Sequence, residues 1–120
     1  MEWMPLGEAE LLRLIADALA IMEPPARSLW NLICVRPVKW ALHPWGDMGG
    51  GFWVVGIIGQ QVIWYNDIED GFNMSRYDAP GEIAEYWCNQ DELNHTIQAL
   101  LHQIETGEAL GKFGPPKPLA

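Results

Sequence analysis

From Glu8 to Met22 the apolar residues Leu11, Leu12, Ile15, Ala18, Leu19 and Met22 recur three and four positions apart, the period that gathers side chains on one face of a helix. Glu8 and Glu10 stand in its first turn, where carboxylates complement the helix dipole, and Pro24-Pro25 ends it. A second stripe, Leu93, Ile97, Leu100, Leu101 and Ile104, predicts a helix from about Gln90 to Glu105, with Asn89 and Glu92 at capping-box spacing and Gly107 to close it. Between the two the period changes. Val38, Trp40 and Leu42 alternate with Lys39, Ala41 and His43, which predicts a strand with one buried face. Phe52 to Ile58 and Gln61 to Asn66 are β-branched and aromatic runs separated by Gly59-Gln60, a hairpin whose turn takes glycine at its first central position. Asp67 to Gly71 is a further turn, and Phe72 to Tyr77 alternates as a more exposed strand would. Leu29 to Val35 fits a helical turn or a strand, and Glu82 to Trp87 shows no period that decides its state.

This order predicts an α+β fold in which an antiparallel meander of three or four strands is flanked by an N-terminal and a C-terminal amphipathic helix. The helices are the available cover for a sheet so rich in Trp, Val and Ile. Residues 1–113 form one domain in this reading, and the Pro-rich residues 114–120 an extended tail. A chain of 120 residues, 49% of them apolar, builds one core without metal or disulfide staples. No apolar run approaches the roughly 18 residues of a membrane span, and the N-terminus carries Glu2, Glu8 and Glu10 without a basic segment, so a cytoplasmic location is expected. Cys34 and Cys88 have neither CxxC spacing nor a histidine at ligand distance in sequence, and read as reduced thiols.

Charge narrows the partners. Sixteen acidic residues against seven basic ones give a formal charge of −9, which disfavours nucleic-acid phosphates and anionic membranes and favours a basic protein or a cation. Gly49-Gly50-Gly51 opens onto a strand and lacks the lysine and helix N-terminus of a phosphate loop, so it reads as a lead-in to the hairpin; Gly56 in mid-strand suggests a bulge or a close backbone approach. The most polar concentration beside the hydrophobic strands is Asp67-Ile68-Glu69-Asp70-Gly71. Its carboxylates, with Asn66 and Asn73, have the oxygen chemistry of a Ca²⁺ or Mg²⁺ site, but not the spacing of the twelve-residue calcium loop. Paired carboxylates also suit acid and base work on a sugar, a reading that sequence spacing does not establish. His95 and His102 lie seven apart rather than the four of a helical two-histidine site, and neither Ser28 nor Ser75 has a nucleophile-elbow context.

Adjacent strand residues point to opposite faces, so one member of Trp64/Tyr65 and of Phe52/Trp53 leaves the main core unless both faces of the sheet are covered. Aromatics beside an acidic turn suit a protein interface. Tyr65, Asp67, Glu69 and Asp70 are therefore the predicted partner-binding residues, with no catalytic residue, metal ligand or cofactor assigned. In general pattern the segments Trp45-Gly46-Asp47, Gly51-Phe52-Trp53, Val62 through Phe72 and Tyr86 through Leu93 resemble the SUKH-like and related immunity proteins of bacteria. That resemblance implies a stoichiometric inhibitor that caps a toxin, often a nuclease with a basic active site, by charge and shape. The alternatives are a carboxylate- or metal-dependent enzyme acting on a small substrate, and a structural homodimer joined through exposed aromatics.

Overall fold

Two prolines do double duty near the N-terminus. The computed structural model describes residues 3–108 and 114–115, and in it α1 (Glu8–Ile21) stops at an extended Met22, after which α2 (Pro24–Ile33) begins on Pro24 and Pro25. Proline lacks the N–H that a first helical turn leaves unpaired anyway, so the residues that end one helix start the next. Sequence periodicity shows only the ending. The window from Leu29 to Val35, which fits either state, straddles the junction between α2 and strand β1 (Cys34–Trp40).

After a single turn of 3₁₀ helix at Asp47–Gly49 come β2 (Phe52–Ile58), β3 (Gln61–Asn66), β4 (Gly71–Arg76) and helix α3 (Leu93–Thr106). The four strands form one sheet in the order β1-β2-β3-β4, every neighbouring pair antiparallel. This is the α+β meander expected, with three helices instead of two. Gly59, at φ +57°, occupies the first central position of the β2–β3 turn. Helix α3 starts later than predicted. Asn89 does not cap it, because the Asn89 backbone is bonded to Asn73 on β4, and the cap position falls to Glu92. Of the residues assigned to the helical stripes, Leu12 and Ile104 are 47% and 54% exposed, outside the buried faces.

A bulge lets β2 serve two cores. Val54 pairs with Trp64 and Gly56 with Ile63, which leaves Val55 as the extra residue. Before the bulge Phe52 and Val54 point to one face; after it Ile57 does, and Val55 packs on the other. Gly56 thus adjoins a bulge, one of the two expectations for it, while a Cβ there would meet the Ile33 carbonyl and the Trp30 ring only at an ordinary contact distance of 3.5 Å. One face carries Val55, Ile63, Tyr65 and Phe72 under the three helices. The opposite face carries Trp40, Phe52, Val54, Val62 and Trp64 under Ile83 and Tyr86, with no helix above it.

The cover on that second face is the irregular segment 77–92. The sheet coils enough to bring Trp40, at the end of β1, edge-on to Tyr77 at 5.1 Å between ring centroids. Residues 82–84 bridge the gap: Ile83 N–H donates to the Ala41 carbonyl, and Ala84 N–H to the Arg76 carbonyl. Three buried polar side chains hold the remainder. Trp64 Nε1–H donates to Ser75 Oγ (2.9 Å), which donates to the Glu85 carbonyl (2.8 Å). Asn66 Nδ2 donates to the Trp87 carbonyl (3.0 Å). Asn73 Nδ2 donates to the Asn89 carbonyl and its Oδ1 accepts from Asn89 N–H. β4 is therefore buried from Gly71 to Asn73 and at Ser75, a correction to the more exposed strand expected. Its alternation is of polar and apolar groups that are both inside, since the polar ones bond the segment above.

Of the predicted tail, residues 114–115 are described, and Gly114 lies next to the Trp87 ring; residues 109–113 and 116–120 lie outside the described residues. No helix among the described residues is long and apolar enough to cross a membrane.

Segment 89–91 passes so close to β4 that a Cβ on Gly71 would sit 2.1 Å from the Asn89 carbonyl oxygen. The backbone must move to admit it. Gly71→Ala is expected to lower stability by about 3 kcal/mol, the upper end of ordinary overpacking, read as a fall in the urea midpoint at unchanged slope.

Candidate functional site

The predicted site lies at the end of the sheet where β3 turns into β4. Asn66 shapes that turn: its Oδ1 accepts from Ile68 N–H (3.0 Å) and Glu69 N–H (3.2 Å). Asp70 closes it at φ +56°, a left-handed conformation that Asp tolerates better than most non-glycine residues. The three carboxylates of the turn leave it in different directions.

Asp67 turns inward and is 8% exposed. Its Oδ2 accepts from Leu6 N–H (2.8 Å), its carbonyl from Trp3 Nε1–H (3.0 Å), and Trp53 Nε1–H donates to the Leu6 carbonyl (2.8 Å). Lys39 stands nearby, its ammonium 5.1 Å from the Trp53 ring centroid and donating to the Gly49 carbonyl. Asp67 is thus the anchor of the chain's own N-terminal arm, and burial removes it from the surface on which sequence places it. Desolvation raises its pKa, opposed by the Leu6 N–H and by the charge of Lys39. Its Oδ1 is buried without a hydrogen bond among the described residues.

Asp70 goes the other way. Exposed itself, it lies close enough for its charge to act on Tyr65, whose ring is 6% exposed and packs edge-on against Phe72 at 4.8 Å. Burial, and then the negative charges of Asp70 and Asp67, push the Tyr65 pKa up to about 12, so the phenol stays protonated. Glu69, half-buried, lies towards the second face, where its charge acts on Tyr86. Tyr86 stacks on Trp45 at 4.3 Å and 9°, and Trp45 is 39% exposed. Trp3 and Ile68, each 41% exposed, complete the apolar part of this end.

The structure therefore places Asp70 near Tyr65, buries Asp67 against the N-terminal arm and turns Glu69 towards Tyr86. Among the described residues no three His, Cys, Asp or Glu side chains group in a way that can hold a metal ion. The aromatic pairs resolve through double cover: Trp64 and Phe52 fill the second core, while Tyr65 is buried and Trp53 half-buried on the helical side.

Sequence reasoning missed the surroundings of Asp70. A cleft of about 370 Å³ runs beside it between α1 and the start of α3, with Leu14, Ile21 and Phe72 on its walls and Asp17, Asp91 and Glu92 around it. Leu14 and Ile21 are apolar residues off the predicted stripe of α1, which was the available signal. The approach of Asp91 depends on its backbone bridge to Phe72, a long-range contact without a local signature.

Compared with protein-family models, curated proteins and solved structures, the chain matches none.

Burial of Asp67 has a thermodynamic sign. Its folded pKa lies above its unfolded value, so the folded state binds the extra proton: its contribution to stability is complete below the unfolded pKa and is lost as pH rises through the folded one. Asp67→Asn keeps an oxygen for Leu6 N–H and removes the charge. As pH rises above the ordinary carboxylate value of about 4, the urea midpoint of the wild type should fall relative to that of Asp67→Asn, the difference levelling off once Asp67 is ionised in the folded state.

Proposed function

We propose that this protein is an acidic binding module that captures a basic protein without chemistry of its own; in the specific form implied by its resemblance, it is a bacterial immunity protein that neutralises a toxin by stoichiometric binding. One observation carries the reading. Asp17, Glu69, Asp70, Asp91 and Glu92 lie around the β3–β4 end of the molecule, and none of them forms an ion pair within the described residues, where Arg76 pairs with Asp78 and the His43 ring lies against Asp47. Negative charge left without internal partners speeds encounter with a positive surface and penalises acidic competitors.

The apolar groups beside these carboxylates supply what charge alone does not. Trp3, Trp45 and Ile68 are each about two-fifths exposed, and aromatic anchors within a polar rim are the usual source of binding energy in protein interfaces. The divergence of Asp67, Glu69 and Asp70 leaves the turn itself without the two carboxyl groups facing one substrate that a paired-carboxylate hydrolase needs.

Co-purification of the tagged chain from its own cells at low and moderate salt is the test. A basic protein retained in stoichiometric amount at low salt and released at moderate salt is the expected result. Charge reversal in the pair Glu69→Lys and Asp70→Lys should weaken that complex at least about a hundredfold, since like charges across an interface cost several kcal/mol, with the circular dichroism spectrum preserved. Unchanged affinity in the reversed protein would overturn the placement of the surface.

A further inference from the structure

The cleft beside Asp70 has a divided chemistry. Its walls are hydrocarbon and aromatic: Leu14, Ala18 and Ile21 along one side of α1, Phe72 and the Tyr65 ring on the sheet, and Leu93 at the start of α3. Leu14 and Ile21 are 36% and 64% exposed although they flank the buried Ala18, so the apolar surface of α1 continues past the core and into the cleft. Around that surface stand Gln90 and four carboxylates, Asp17 from α1, Asp70 from the turn, and Asp91 and Glu92 from the segment before α3, with no cationic side chain among the lining residues.

One of them is held in place: Asp91 accepts from Asn89 Nδ2 at 3.0 Å while its carbonyl binds Phe72 N–H. An apolar slot ending in carboxylates that form no ion pair within the described residues complements one kind of protein side chain: a long aliphatic stem with a cationic head. Arginine and lysine bury the stem and present the head in this way, and aromatic walls add attraction for the cation. At about 370 Å³ the space suits one or two such side chains rather than a helix.

We infer that the cleft between α1 and α3 receives an arginine or lysine side chain of a basic partner protein, its stem against Leu14, Ile21 and Phe72 and its head between Asp17, Asp70 and Asp91. This rests on the binding-module reading and gives it a specificity pocket: the partner is recognised by a protruding cationic residue, and the remaining acidic surface steers it there.

The experiment is an amide-resolved NMR titration of the full chain with Nα-acetyl-arginine methylamide, with the norleucine analogue as the uncharged control. The arginine probe is expected to give saturable shifts at Leu14, Asp17, Asp70 and Asp91, and the norleucine probe to give none of comparable size. Asp70→Asn with Asp91→Asn should weaken the arginine response about tenfold, as the loss of two partly exposed ion pairs would; Asp17→Asn, on the exposed side of α1, provides a variant that does not touch the turn. No saturable response, an equal response to norleucine, or shifts centred away from the cleft would overturn the inference. The parent reading fails separately: a co-purified basic partner that still binds Asp17→Asn and Asp91→Asn at full affinity removes the pocket and leaves the binding module, whereas a responsive cleft in a chain that retains no basic partner removes the binding module and leaves a cation-selective pocket.

Discussion

The fold depends on a hydrogen-bonding problem at the second face of its sheet. A helix laid on a sheet satisfies its own backbone, but segment 77–92 has almost no regular structure, and backbone N–H and C=O groups buried without partners are costly. The sheet provides those partners from its own side chains. Ser75, Asn66 and Asn73, at 0%, 0% and 3% exposure, reach the backbone at Glu85, Trp87 and Asn89, evenly spaced along the strap. Each is a polar residue that would be expensive to bury alone. Together with the strap's carbonyls they form a satisfied layer between Trp64 and solvent.

That layer determines where the acidic groups go. Asn66 uses its amide on the strap and its carbonyl oxygen on the β3–β4 turn, so the cover of the second face and the shape of the turn share one side chain. Gly71 and Asn73 draw residues 89–91 onto the edge of β4, which delays the start of α3 and carries Asp91 and Glu92 to the side of Asp70. Carboxylates that are about twenty residues apart in sequence thus become neighbours because two side-chain amides and one hydroxyl in the sheet bind the strap.

The regular elements were legible because their signals are local. The hairpin Phe52–Ile58/Gln61–Asn66 follows from two β-branched runs about a glycine turn, and Leu11, Ile15, Ala18 and Met22 from a period near 3.6. Less visible was anything set by a tertiary bond. Asn89 and Glu92 have the spacing of a helix cap, yet the bonds of Asn89 to Asn73 outweigh the local preference. Asp67, Glu69 and Asp70 read as one acidic cluster, and whether each points to the arm, to Tyr86 or to Tyr65 is decided by a turn whose geometry depends on Asn66. The polar residues of β4 were read as a sign of exposure; they are the fasteners of the strap. Sequence therefore located the acidic end of the molecule and overestimated how far its charges act together.

Two carboxylates three residues apart illustrate what this arrangement achieves. Asp67 is desolvated and holds the N-terminal arm, at a cost that shows in its raised pKa. Asp70 remains exposed at the cleft between α1 and α3, beside a Tyr65 phenol that burial makes hard to ionise. The phenol therefore brings no negative charge of its own to that side of the turn. The turn thus uses one acidic side chain to complete the fold and leaves the other facing a slot whose walls are apolar.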